Sequence, residues 1–454
     1  MKPRILLRCL LAAATLITAS GWATATFAAT IEGRVVDIDG QPIAGVMVTA
    51  THLETAFGGV AVTEKSGQFT VDELPLGRYR VVAERAGYLL RALTVALDRE
   101  TIAPLRLSMA PALGGQPSTP TEPRPKNYAT TSVLYGTDRR PSAVPGASIV
   151  FGAERGDLVV GVCEVSVPLD HRVGDLEAPR LWKLEFRPDP SKHIVLLSTG
   201  RLDGQSFRKL LQQRLAQAEV RSGLVFIHGF NVSFQDAARR TAQLAKDLDF
   251  NGVPSFYSWA SNGKVVDYVA DGEQAGRAVP YLRDYLKLVF ADPQLDEVHL
   301  IAHSMGNRVL TAALQQLAAE RPATSRPRIG QIALVAPDID AEIFRTQIAP
   351  QIVGVGRRLT LYGSTRDKAL LASKKVHNSP RAGDLSDTVT IVNGMDTIDA
   401  SAVDTSFVGH SYFGDNRSVI SDLFALLRRN AMPSDRFGMR PMSAGGLRYW
   451  KFAP

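Results

Sequence analysis

The chain has 454 residues, 45% of them hydrophobic, and a formal charge of +7. That much apolar sequence can fill more than one core, so more than one domain is expected. Lysines and arginines are scattered without long clusters, and three of them fall in the first 29 residues, leaving +4 on the rest; so mild an excess argues against a phosphate-binding face, and no nucleic-acid partner is expected.

Residues 1–29 carry Lys2, Arg4 and Arg8, then an apolar stretch from Leu10 to Ile17, then small residues ending at Ala28-Ala29 before Thr30. This is the layout of a secretory signal peptide, with an apolar core too short to span a membrane. Cys9 would leave with the peptide, so Cys163 alone remains and no disulfide can form within one mature chain. A lipoprotein reading of Cys9 is poor because Arg8 stands where a small residue is expected. The expectation is an exported protein, periplasmic or secreted, with no membrane span.

From Thr30 to Met109 the sequence reads as short β segments. Ile31-Glu32-Gly33-Arg34-Val35-Val36, Val46-Met47-Val48-Thr49-Ala50, Gln68-Phe69-Thr70-Val71 and Arg78-Tyr79-Arg80-Val81-Val82-Ala83 are separated by turns at Asp39-Gly40-Gln41-Pro42, Ser66-Gly67 and Pro75-Leu76-Gly77. Strands at this spacing predict a small β-sandwich. The order of Gly-x-Val, Asp-x-x-Gly-x-Pro-Ile-x-Gly-Val, Gly-x-Phe and Leu-Pro-x-Gly-x-Tyr resembles the carboxypeptidase-regulatory-like domain, related in shape to transthyretin. In that family the module accompanies many enzymes and usually lacks catalytic residues of its own. No His-x-x-Glu or His-Glu-x-x-His signature occurs in the chain, so neither a metallocarboxypeptidase nor any metal site is expected. The sandwich is expected to stabilise or dock, through contact with the cell envelope or another protein.

Residues 110–130 are rich in Pro, Gly, Ser and Thr and predict an extended linker. A catalytic domain is then expected over 131–430. Thr131 to Arg139 opens it, and Asp157 to Val167 and Leu181 to Phe186 predict antiparallel opening strands. Strands follow at Leu224–Ile227, Ser255–Ser258, Glu297–Ile301, Ile332–Val335, Leu359–Tyr362 and Val389–Val392, with helices at Phe234–Leu248, Asp267–Phe290, Arg308–Leu317 and Ser418–Arg429. Repeated β then α with uninterrupted apolar strands predicts an α/β fold, a doubly wound, mostly parallel sheet covered on both faces. Residues 431–454 are expected to form an irregular tail.

The chemistry gathers around Ala302-His303-Ser304-Met305-Gly306, between an apolar strand and a helical run. This is the place of a nucleophile elbow, G-x-S-x-G, with Ala302 in place of the first glycine. A serine hydroxyl is a weak nucleophile and needs a base, a group to orient that base, and donors for the oxyanion. His410, in the loop after the Val389 segment, is the candidate base. Asp367, just past the Leu359 strand, is the candidate acid, with Asp338 and Asp340 as second choices and a helix-capping role left for whichever is not used. His228-Gly229-Phe230-Asn231 ends an early strand, so the backbone N–H of Phe230 is expected to pair with that of Met305 as the oxyanion hole. His228 and His303 are expected to be structural, Tyr257 and Trp259 either pocket wall or core, and Asn231 and Asn307 braces for the oxyanion loop.

From about Ser132 to Arg429 the chain resembles the α/β-hydrolase superfamily, and more narrowly a bacterial esterase/lipase-type branch. The motifs that carry this are His228 to Asn231, Ala302 to Asn307, Tyr362 to Leu370 and Gly409 to Tyr412, with Gly363 as the small residue after the tyrosine. The resemblance implies Ser304 as nucleophile, Asp367 as acid and His410 as base, and no cofactor. The activity expected is hydrolysis of a small-molecule carboxylic ester through an acyl-enzyme. Two alternatives stay open: an amidase or peptidase acting on cell-envelope material with the same triad, and an inactive hydrolase-like binding or scaffold protein.

Overall fold

The computed structural model describes residues 29–53, 58–74, 76–85, 88, 91–98, 104–110, 127–142, 149–179, 188–262, 268–320, 329–403 and 417–453. The chain divides into two compact units, Met1–Glu122 and Pro123–Pro454. Among the described residues no helix is long and apolar enough to cross a membrane.

The first unit is all β. Strands β1 (Ala29–Val36), β4 (Gln68–Leu74) and β7 (Leu105–Ser108) form one sheet in the order β4-β1-β7. Strands β2 (Met47–His52), β3 (Gly58–Val62), β5 (Gly77–Glu84) and β6 (Arg91–Leu97) form a second, in the order β3-β2-β5-β6. Alternate residues of the two sheets meet in one core that includes Ile31, Val35, Val48, Phe69, Val71, Tyr79, Val81 and Leu107. This alternation is the pattern that the sandwich reading requires.

The second unit is built on an eleven-stranded sheet. Its first three strands are β8 (Tyr128–Ser142), β9 (Val150–Pro168) and β10 (Val195–Leu202), paired antiparallel as β10-β9-β8. Next come β12 (Val253–Ser258), β11 (Ser222–Ile227), β13 (Glu297–His303), β14 (Ile329–Val335), β15 (Gly356–Gly363) and β16 (Met395–Asp399), all parallel to one another and to β8. Every residue of β11 and β14 is buried, as expected of strands covered on both faces. Helices α1 (Gly204–Gln217), α3 (Tyr268–Phe290) and α4 (Gly306–Glu320) bury one face of the sheet around Phe207, Leu282, Tyr285 and Leu314. On the other face, α2 (Phe234–Asp247), α7 (Lys368–His377) and α8 (Arg417–Arg429) pack around Phe234, Leu244, Leu370 and Leu423. Two short helical turns, α5 (Ala341–Ile343) and α6 (Ala349–Ile352), lie between α4 and β15 in sequence.

Three expectations are revised. The strand expected at Val389–Val392 lies instead at Met395–Asp399, whose register pairs Thr397 with Leu361 and Asp399 with Gly363. The stretch expected to be an irregular tail contains a hairpin, β17 (Met439–Ala444) and β18 (Leu447–Phe452), which extends the sheet beyond β16. The buried Arg436 holds it in place, donating to the buried Asp422 at 3.3 Å and pairing with Asp396 at 3.6 Å. The first strand also begins inside the expected linker, at Tyr128. Leu181–Phe186 lies outside the described residues, as does most of the linker.

Candidate active site

Ser304 follows the last residue of β13 and precedes the first of α4, and its φ is +52°. A serine gains nothing intrinsic from this left-handed conformation, so the surroundings must impose it. Three contacts do so. The Ser304 N–H donates to the Val335 carbonyl at 2.9 Å, while the Ser304 carbonyl accepts from the Asn307 N–H at 3.1 Å and the Asp338 N–H at 3.3 Å. The Asn307 side-chain amide adds bonds to Ser304 O at 2.9 Å and Val335 O at 3.0 Å. Asn307 therefore braces the elbow itself. A Cβ on Gly306 would lie 2.3 Å from the carbonyl oxygen of His228, which leaves room only for glycine. Ala302 is fully buried within the core, where its methyl takes the place of the glycine more usual in this motif.

The loop after β11 is held by a separate polar network. His228 is fully buried and stacked on Trp259, and the Trp259 Nε1–H donates to the His228 carbonyl at 2.8 Å. Burial, then the nearby Arg139, pushes the His228 pKa down to about 3, so its ring is neutral. Its Nδ1 lies 2.8 Å from the Gly229 carbonyl and its Nε2 3.0 Å from Ser258 Oγ. A proton on Nδ1 satisfies both contacts, with Ser258 donating to Nε2 and accepting from Arg139 Nε at 2.9 Å. Arg139 also donates to the carbonyls of Val232, Gly152 and Ser261 at 2.7, 2.8 and 3.2 Å. Asn231, at φ +56°, donates its N–H to Ser261 Oγ, and Ser261 in turn donates to the buried Asp271 at 2.5 Å. His228 is thus structural and Trp259 and Tyr257 are core, all three fully buried. Phe230, the candidate oxyanion donor on this loop, is half-buried. Met305, its expected counterpart, sits at the entrance to α4, where backbone N–H groups have no acceptor within the helix.

The three candidate acids differ in what their carboxylates do. Asp367 is fully buried two strands from the elbow, just past β15, and its Oδ1 accepts the N–H groups of Ala369 and Leu370 at 3.0 Å, capping α7. Asp340 is half-buried and caps α5 through Glu342 and Ile343. Asp338 caps nothing. Its Oδ1 accepts from Arg381 Nε at 2.8 Å and Ser373 Oγ at 2.6 Å, and its Oδ2 accepts from Arg308 Nη2 at 3.1 Å and from the Tyr268 hydroxyl. Burial favours its neutral form, but Arg308, Arg381 and the two hydroxyls hold its pKa below the usual carboxylate value. With four donors already bound, this carboxylate is committed to holding the loop after β14 against α4 and α7. No local sequence signal announces the cluster, because its partners lie 30 to 70 residues away.

His410, with the rest of the Gly409–Tyr412 motif, lies outside the described residues; it belongs to the connection between β16 and α8. His303 is buried beside Gly229. Among the described residues no cluster of three or more His, Cys, Asp or Glu could hold a metal ion. A cavity of about 390 Å³ lined by Ser132, Arg214, Lys246 and Asn251 opens at the amino ends of β8 and β12, the opposite end of the sheet from Ser304. In open α/β sheets, ligands bind at the carboxyl ends of the strands, where Ser304, Phe230 and Asp367 lie.

Comparison with known proteins gives two family matches. Residues 203–429 match the family described as alpha/beta hydrolase of unknown function (DUF900), and residues 30–110 match the carboxypeptidase regulatory-like domain. An uncharacterized protein of Nostoc sp. is 34% identical over 61 residues, which is 13% of this chain and 16% of that protein's length. Among solved structures, the minor pilin of Streptococcus agalactiae is similar over 21% of this chain and 48% of its own, at 16% identity and a TM-score of 0.18. The 3-chlorocatechol 1,2-dioxygenase of Rhodococcus opacus is similar over 18% of this chain and 59% of its own, at 12% identity and a TM-score of 0.16. At these scores neither structure carries a functional argument.

Proposed function

Because the chain belongs to that alpha/beta-hydrolase family, we propose that it is an exported serine hydrolase that cleaves small carboxylic esters through an acyl-enzyme on Ser304. The observation that carries this reading is the conformation of Ser304, a buried serine held at φ +52° between a parallel strand and a helix. Strain of this kind persists only where the surroundings impose it, and it clusters at active sites.

In the reaction, Ser304 Oγ attacks the ester carbonyl carbon and His410 takes the hydroxyl proton. Asp367 fixes the imidazole tautomer and stabilises the imidazolium. The negative charge on the carbonyl oxygen is held by the N–H groups of Phe230 and Met305, each contributing about 3 kcal/mol to the transition state. Collapse of the tetrahedral intermediate expels the alkoxide, which takes the proton from His410. Water, deprotonated by the same histidine, then releases the carboxylic acid. Activity rises with pH as His410 loses its proton. Residues 1–29 supply the export signal, and the N-terminal sandwich serves as a docking module toward the cell envelope or another protein.

The test is labelling of the mature protein with a fluorophosphonate, wild type beside Ser304→Ala and His410→Ala, with a panel of p-nitrophenyl esters of increasing chain length. Labelling lost in the first variant and strongly reduced in the second supports the reading, and the ester profile sizes the pocket. A folded wild type that neither labels nor hydrolyses any ester overturns it in favour of a binding protein.

A further inference from the structure

Tyr268, the first residue of α3, touches Phe230 on one side and Asp338, a neighbour of the Ser304 turn, on the other. Its ring packs edge-to-face on Phe230, with centroids 5.1 Å apart, and edge-to-face on His377 of α7 at 5.6 Å. Its hydroxyl donates to Asp338 Oδ2 and lies 2.7 Å from Ser373 Oγ. Asp338 is in turn tied to the elbow: its N–H donates to the Ser304 carbonyl at 3.3 Å, and its own carbonyl accepts from Arg308 Nε, on the first turn of α4, at 2.5 Å. Tyr268 and Asp338 together thus link the loop that carries the Phe230 N–H to the turn that carries the Met305 N–H.

A phenylalanine or leucine would fill the same apolar space beside Phe230 without bringing a hydroxyl into a buried site. The hydroxyl is kept as a donor. Burial first, then the charge of Asp338, raises the Tyr268 pKa to about 12. Its partner Asp338 is clamped by Arg308 and Arg381, so the point to which the hydroxyl is tied does not move freely. Two donors stabilise one oxyanion only when both aim at the same point, and here they belong to loops separated by more than seventy residues.

We propose that Tyr268 is a positioning residue that sets the separation of the two oxyanion donors, by fixing the Phe230 loop to the Ser304 turn through Asp338. The proposal rests on the reading of Ser304 as nucleophile with Phe230 and Met305 as donors.

The test compares Tyr268→Phe, which keeps the ring and deletes the hydroxyl, with Tyr268→Leu, which removes both contacts. On a p-nitrophenyl ester, kcat is expected to fall about 10-fold and about 100-fold respectively, with KM within about twofold, since a misplacement near 1 Å has effects of this size. A trifluoromethyl ketone, whose serine adduct places an oxyanion between the same two N–H groups, is expected to lose affinity by the factor lost in kcat/KM. If Tyr268→Phe does not fold, Ser373→Ala removes the hydroxyl beside Tyr268 and is expected to give a smaller change in the same direction. Unchanged kcat and inhibitor affinity with a lowered melting temperature make Tyr268 a packing residue and overturn the proposal, as does a raised KM with intact kcat. A wild type that neither labels nor hydrolyses esters is a different failure: the nucleophile reading falls first and this proposal falls with it.

Discussion

A Cβ on Gly229 would lie 2.8 Å from the Cβ of Ser304 and 3.0 Å from both the Nδ1 and the carbonyl oxygen of His303. Carbon atoms in van der Waals contact rest at about 3.5–4.0 Å. The loop bearing Phe230 and the turn bearing Ser304 therefore approach this closely only because residue 229 has no side chain. Gly306 makes the reciprocal contact from the other side, against the carbonyl of His228.

Gly229→Ala should fold, about 1–3 kcal/mol less stable than wild type, because an added methyl in a packed site displaces its neighbours. Fluorophosphonate labelling should slow by at least about 10-fold, since the displaced neighbour is the Cβ of Ser304, the proposed nucleophile. Gly306→Ala should be the more damaging change, because its methyl would come within 2.3 Å of a backbone oxygen, closer than any contact at Gly229. Urea melts and labelling time courses check both; a Gly229→Ala protein that labels at the wild-type rate would show that the contact does not set the geometry.

Asp367→Asn should lower catalysis alone, whereas Asp338→Asn should lower both stability and kcat, because Asp338 ties the Tyr268 hydroxyl to the Ser304 turn. Asparagine caps helices about as well as aspartate, so the first variant should fold normally while kcat falls by about 10⁴, as when the orienting acid of a triad is amidated. The second leaves Arg308 and Arg381 around a neutral partner and should lose about 3–5 kcal/mol, the usual penalty of breaking a buried pair. Asp340→Asn, at a half-buried cap, should change neither. An Asp367→Asn enzyme with full activity would remove Asp367 from the triad.

Two buried ionisable groups give the stability opposite dependences on pH. Asp338 titrates below the ordinary 3.8, so its contribution is complete above that value and is lost as the pH falls beneath it. His171 lies between Asp247 at 2.7 Å and Glu177 at 2.8 Å. Burial opposes its charge, but these two carboxylates outweigh burial and raise its pKa from 6.5 to about 9. Its contribution is complete below pH 6.5 and is lost as the pH rises through 9. Urea melts at pH 6 and 9.5 should show the wild type weakening at the higher pH and His171→Gln weakening much less; parallel losses in both proteins would assign the effect elsewhere.

Arg436 is the latch of the C-terminal hairpin. Its side chain is fully buried, and the Asp422 it pairs with also accepts from the Tyr362 hydroxyl at 2.6 Å. Arg436→Met leaves Asp422 buried without its cation, a loss of about 3–5 kcal/mol. Because β18 joins β16 through two residue pairs only, the hairpin should detach while the rest of the sheet holds. Limited proteolysis should then cut near Gly438 or Gly445-Gly446 in the variant and not in wild type, with labelling of Ser304 retained. Adding Asp422→Leu should recover much of the loss, since an apolar pair can replace a buried ion pair.

The elbow was legible because its signal is local: an apolar strand, a serine, a glycine and a helical run fall within about twenty residues of one another. Helices α2, α3, α4 and α8 were legible for the same reason, whereas α1 and α7 were not anticipated. The last parallel strand was placed too early because Val389-Thr390-Ile391-Val392 is β-branched throughout, while Met395-Asp396-Thr397-Ile398-Asp399 carries two acids. Those acids find partners only in the folded sheet, Asp396 with Arg358 and Arg436 and Asp399 with Lys451.

Side-chain periodicity and glycine placement by themselves determined the two-unit architecture, the alternation of strand and helix through the middle of the second unit, and the turn that holds Ser304, because each depends on residues adjacent along the backbone. The tertiary structure alone decided which aspartate is locked between two arginines, that Tyr268 bridges two loops, and that the last residues complete the sheet. Each of these is a pairing of groups far apart in sequence, and burial makes such a pairing strong only once the fold has brought the partners together and removed the water between them.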